Sequence, residues 1–168
     1  MIDNNNTTLP SYSSCTNDRL KEVYGHGDCA AFADILNWDF EDKGYSSKII
    51  MAGSGLSNHF YVKLESEKDN YVYCDVYGVF ENEIDILNRY DLAKTDTGEV
   101  RNPEENDFFQ TLIKSSDLFS SLEETEDKNE IFFLEMQKIL KFWEESLVII
   151  KKSKSKVVTI KSANNNLK

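Results

Sequence analysis

The chain is poor in the residues that usually staple or metallate a small protein. Its 168 residues include only three cysteines, Cys15, Cys29 and Cys74, and two histidines, His26 and His59. An odd cysteine count without CxxC spacing argues against a disulfide framework and a structural zinc site. With two histidines, a metal site would have to lean on carboxylates. None of these clusters at ligand spacing, so neither a metal nor another cofactor is expected. Cations are also scarce: 19 lysines and arginines stand against 30 acids, a formal net charge of −11. Phosphate-backbone binding needs a basic surface, so nucleic acid is not an expected partner. No apolar run approaches the length of a membrane span. The first residues, Met1 to Asn6, offer neither a basic nor an apolar segment, so no classical signal peptide is read there. The expected location is the cytoplasm, or a host cell reached without such a signal. There is no internal repeat.

What is present reads as one globular domain. Hydrophobic residues make up 40% and aromatics 12% of the chain, an ordinary folded composition. Residues 1–16 form a polar arm. Residues 17–80 carry the candidate chemistry, 81–150 are largely helical, and 151–168 are a lysine-rich tail. The expected class is α+β: a cysteine-bearing helix on an antiparallel sheet, followed by C-terminal helices.

The most informative stretch is Gly27-Asp28-Cys29-Ala30-Ala31-Phe32-Ala33. From Cys29, apolar residues recur at Phe32, Ala33, Leu36 and Phe40, the stripe of an amphipathic helix. Asp28 suits the N-cap, and Gly44 the stop after Lys43. A thiol at a helix N-terminus meets a partial positive charge and unpaired N–H donors. Both favour the nucleophilic thiolate, and the same donors can hold an oxyanion. The alternative is a small cysteine buried in the core.

Two alternating segments follow. Phe60, Val62 and Leu64 share one face of the first, with His59, Tyr61 and Lys63 on the other. Val72, Cys74 and Val76 share one face of the second, with Tyr73 and Asp75 opposite. A register with Phe60 against Cys74 and Val62 against Val72 matches the apolar faces. It leaves a connection from Glu65 to Asp69 and sets His59 directly opposite Asp75, roughly 5 Å apart at Cβ. A short helix is expected over Asn17 to Val23, and a short strand over Ser46 to Met51 with a loop from Ala52 to Ser57. Val79 to Leu92 reads as a strand end and an irregular turn, and Thr95 to Pro103 as a loop. Pro103 would open a helix capped by Asn102, running to about Lys114 with Phe108, Phe109, Leu112 and Ile113 inward. A longer helix from about Asp127 to Ile149 carries the stripe Phe132, Met136, Ile139, Trp143 and Leu147.

A nucleophilic cysteine needs a base, and the base needs a group that sets its tautomer. Cys29, His59 and Asp75 supply these roles. His26 lies between glycines only three residues before Cys29 and is the weaker base candidate. Cys74 points away from Asp75 and is expected to be inert.

Gly27 to Ala33, His59-Phe60-Tyr61-Val62 and Tyr73-Cys74-Asp75-Val76 together resemble the transglutaminase-like branch of the papain-like cysteine enzymes. The match runs in the order Cys, His, Asp over about Tyr24 to Val79. The resemblance implies a papain-like core and a thioester acyl-enzyme at Cys29, with His59 as base and Asp75 orienting it. The substrate would be a side-chain amide or peptide bond of a protein or peptide, a host protein among the options. Protease, amidase, glutamine deamidase and transglutaminase chemistry all stay open. No glutamine or tryptophan stands just upstream of Cys29. The oxyanion and substrate contacts would therefore fall to backbone N–H groups and to Tyr24, Asp28 and Asn58. The alternatives are a cell-wall peptide amidase and a non-catalytic binding protein that keeps the fold.

Overall fold

Alternating apolar residues between positions 47 and 80 build the centre of the molecule. The computed structural model describes residues 12–14, 18–25, 27–54, 57–67, 69–116 and 128–146. Four consecutive strands pair antiparallel: β2 (Ser47–Ser54), β3 (Ser57–Glu67), β4 (Asn70–Asp75) and β5 (Gly78–Phe80). β1 (Tyr12–Ser14) adds to β5 at one edge and β6 (Thr97–Glu99) to β2 at the other. Among the described residues the result is a six-stranded antiparallel sheet in the order β1-β5-β4-β3-β2-β6, within an α+β fold.

A two-residue period sends successive side chains to opposite faces, and both faces here are covered. One face presents Ile49, Phe60, Val62, Leu64, Val72 and Cys74 to α2 (Cys29–Asp42), which answers with Phe32, Ala33, Leu36 and Phe40. Leu20 and Tyr24 of α1 (Asp18–Gly25) join this core. So do Phe109 and Ile113 of α4 (Asp107–Lys114), and Met136, Ile139, Leu140 and Trp143 of α5 (Lys128–Ser146). The opposite face presents Ile50, Ala52, Tyr61 and Phe80 to a second cluster. Ile86 and Leu87 of α3 (Glu83–Arg89) and Leu92 after it close that side.

α2 ends as its sequence implies. Gly44 adopts φ +80, its N–H donates to Glu41 O, and the Tyr45 N–H donates to Phe40 O, a Schellman stop. The rings of Phe40 and Tyr45 meet edge-on at 6.1 Å across that stop. At the other end Asp28 is the N-cap residue, but its side chain makes no capping bond. Its ψ of 28° departs from the extended backbone that aims a cap oxygen at the first turn.

Several expectations change. The β3–β4 register pairs Val62 with Cys74 and Leu64 with Val72, two residues from the expected alignment. β3 runs on to Glu67, with an irregularity between Glu65 and Glu67, and Asp69 takes the left-handed φ of 61° in a tight turn. A slip of two keeps every side chain on its expected face, so the apolar pairing survives. β2 extends through Ser54 instead of stopping at Met51. This is possible because Gly53, at φ +82, passes so close to Ser57 that a Cβ would lie 2.1 Å from its carbonyl oxygen. Residues 83–89 are helical and 97–99 form an edge strand, where a turn and a loop were expected. α4 starts at Asp107, not at Pro103. Asn106, not Asn102, caps it by accepting the Phe109 N–H at 2.9 Å. That start leaves Phe108 exposed while Phe109 and Ile113 go inward. Residues 12–14 of the expected arm pair as an edge strand. His26, Cys15, the Phe132 side chain, Leu147 and the lysine-rich tail lie outside the described residues.

Candidate active site

The sheet brings one end of β3 and one end of β4 together beneath the N-terminus of α2. His59 and Asp75 lie on the sheet face opposite Phe60 and Cys74, and each is only 2% exposed. In the observed register they are diagonal neighbours, a relation that long side chains can bridge. His59 Nε2 lies 3.0 Å from Asp75 Oδ2. Cys29, a free and partly exposed thiol at the first position of α2, is close enough to His59 to act on its imidazole and help raise its pKa. With Nε2 engaged by Asp75, Nδ1 is the ring nitrogen left for the thiol.

The Asp75 carboxylate accepts at both oxygens. Oδ2 takes the Tyr90 hydroxyl at 3.1 Å as well as His59, and Oδ1 takes the Tyr77 N–H at 2.8 Å. Its main-chain carbonyl accepts the Trp143 indole N–H at 3.0 Å. A carboxylate this deeply buried needs such satisfaction, because an unpaired charge in the interior is strongly unfavourable. Since the carboxylate accepts, Nε2 of His59 carries the proton, and the neutral ring then presents a lone pair at Nδ1.

Burial alone would push the His59 pKa down. Hydrogen bonds to Asp75 and Cys29, together with their negative charges, outweigh it and raise the value above the ordinary histidine range. The imidazolium form is therefore favoured when the thiol ionises. Tyr90 also stacks on the imidazole, ring centroids 3.6 Å apart and planes 22° from parallel, shielding the His59–Asp75 pair. Burial and the adjacent Asp75 push the Tyr90 pKa upward, so its hydroxyl stays a proton donor. Tyr61 flanks the same imidazole at 6.1 Å and donates to Glu83 Oε1 at 2.6 Å.

Other expected positions are less central. Tyr24 is buried against Phe32, ring centroids 5.4 Å apart. Asp28 precedes the thiol without capping, and Asn58 is half-buried beside His59 on β3. The first-turn N–H groups of α2 have no intrahelical acceptor, as at any helix start. Cys74 is fully buried, and burial pushes its thiol pKa upward, which suppresses reactivity.

Sequence reasoning missed Tyr90 and Trp143 as supports of the pair. Tyr90 follows α3, whose residues carry the sequence pattern of an irregular turn. Trp143 sits on a helical stripe that signals only core. Neither has a local signature, since each reaches Asp75 through the fold.

Among the described residues no group of three or more histidine, cysteine or acidic side chains is arranged to hold a metal ion. Among them, too, no helix is long and apolar enough to cross a membrane. Comparison with protein-family models, with curated proteins and with solved structures returns no match.

Proposed function

We propose that this chain is a cysteine-dependent acyl-transfer enzyme with a papain-like core of the transglutaminase-like kind, acting on a carboxamide or peptide bond. The observation that carries the reading is one connected set: a partly exposed thiol at a helix N-terminus acts on the imidazole of a histidine whose Nε2 a buried aspartate holds.

In the first step Nδ1 of His59 takes the Cys29 proton and Sγ attacks the carbonyl carbon. The oxyanion so formed lies against the open N–H donors at the start of α2. Collapse of the tetrahedral species breaks the C–N bond, and the imidazolium returns its proton to the leaving ammonia or amine. The thioester remains on Cys29. Water or an incoming amine then attacks it, with His59 again as base, giving hydrolysis or transfer. Asp75 keeps Nε2 protonated throughout and stabilises the imidazolium.

The test is iodoacetamide alkylation of Cys29 between pH 5.5 and 8, followed by peptide mass spectrometry, in wild type and His59→Ala. Fast reaction at neutral pH that is lost in the variant supports the reading. An unreactive Cys29, or equal rates without His59, overturns it and favours a non-catalytic binding protein.

A further inference from the structure

On a different side of α2 lies a cavity of about 610 Å³, a size suited to a small ligand or a side chain. Asp34 and Glu41 from α2 line it on one side. Glu104, from the turn before α4, lines it on the other. Asp34 is five residues beyond Cys29, so it lies about 7.5 Å along the helix and about 140° around it. The cavity is therefore distinct from the cysteine site.

Three features point to its ligand. Ile35 and Met136, both buried, give the cavity apolar walls among the acids. Trp38, partly exposed, offers an aromatic face. Asn37 also lines the cavity, is only 7% exposed, and its Oδ1 has no hydrogen-bond partner among the described residues. A buried acceptor left unpaired costs free energy that an incoming donor recovers. The acid-bearing turn is held in place: Gln110 Nε2 donates to Pro103 O at 2.8 Å, and the Glu105 N–H donates to Asn102 O at 2.9 Å.

We infer that this cavity binds an organic cation with an alkyl stem, of the kind presented by an arginine or lysine side chain or by a free alkylamine. The carboxylates ring the cavity without converging into a metal cluster, which suits an extended cation better than a divalent ion. The stem packs on Ile35 and Met136, the cationic head meets the carboxylates and the Trp38 ring, and one N–H reaches Asn37 Oδ1. Burial, with Glu104 and Glu41 nearby, raises the Asp34 pKa to about 6. A bound cation favours its ionised form, so binding near pH 6 releases a proton. The inference stands whether or not Cys29 is catalytic.

The full-length chain is titrated with n-butylguanidinium, with n-butylammonium and with neutral n-pentanol. Readouts are the tryptophan fluorescence of the unaltered chain, to which Trp38 contributes, and calorimetry at pH 6 in buffers of different ionisation enthalpy. Saturable binding of either cation, proton release, and no matching response to pentanol support the inference. Glu41→Gln and Glu104→Gln, both at exposed positions, should each weaken cation binding roughly fivefold, as expected for a partly screened charge pair. A peptide with one central arginine, compared with free butylguanidinium, then separates the two sources. Tighter binding of the peptide assigns a polypeptide ligand, and equal binding assigns a free amine or guanidine. Equal affinity for pentanol, no proton release, or indifference to both glutamine variants overturns the inference.

Discussion

Replacing Asp34 with asparagine should stabilise the protein at neutral pH, by an amount the structure allows to be worked out. The Asp34 pKa rises from 3.8 to about 6 because burial, Glu104 and Glu41 all disfavour its charge. Below pH 3.8 the carboxyl is neutral whether the chain is folded or not, and it contributes no pH dependence. Between about pH 4 and pH 6 the unfolded chain has released this proton while the folded chain still holds it. Stability therefore falls with rising pH across that window and levels off above it. About two pKa units at about 1.4 kcal/mol each make the full effect close to 3 kcal/mol. Asp34→Asn removes this dependence. The measurement is urea unfolding of both proteins from pH 4 to 7.5, read as their difference, so that all other carboxylates cancel. The advantage of the variant should grow through the window and reach a midpoint shift of about 1.5 M urea at neutral pH. A difference that stays flat with pH, or that shrinks as pH rises, refutes the claim that Asp34 is held in an acidic, poorly solvated place.

Two further substitutions test the supports of the histidine–aspartate pair. Tyr90→Phe keeps the ring over His59 but removes the hydroxyl that donates to Asp75 Oδ2. It should cost about 1 kcal/mol in chemical unfolding, and the pH profile of Cys29 alkylation should shift, which a purely structural role would not cause. Trp143→Phe leaves the main-chain carbonyl of Asp75 without its indole donor. A loss of about 1 kcal/mol is expected from the lost hydrogen bond, seen as a lower urea midpoint. An unchanged midpoint would mean that the bond from α5 to Asp75 contributes nothing.

Three groups far apart in the chain meet at one end of the sheet, where the second strand of a hairpin ends and the first begins. The thiol arrives from the end of α2, whose apolar stripe packs that helix on the opposite sheet face. The result is a line of groups from the Cys29 thiol through the imidazole to Asp75, walled by Tyr90.

Local pattern settled a good deal by itself. The stripe of α2 from Phe32 to Phe40, its glycine stop and the alternation of β3 and β4 follow from periods of 3.6 and 2, properties that each segment carries without its neighbours. The same alternation placed His59 and Asp75 on one face and Cys74 on the other, because a slip of two residues leaves faces unchanged. What the sequence left open was decided by contacts between segments distant along the chain. The register itself depended on how far β3 extended before turning. The segment from 83 to 89 became a helix because Ile86 and Leu87 found the exposed sheet face of Ile50 and Tyr61 to cover. Tyr90 and Trp143 became partners of Asp75 only once α3 and α5 were docked against opposite sides of the sheet. Hydrophobic periodicity is written in neighbouring residues and can be read there. A hydrogen bond to a residue 15 or 68 positions away is written only in the packed fold.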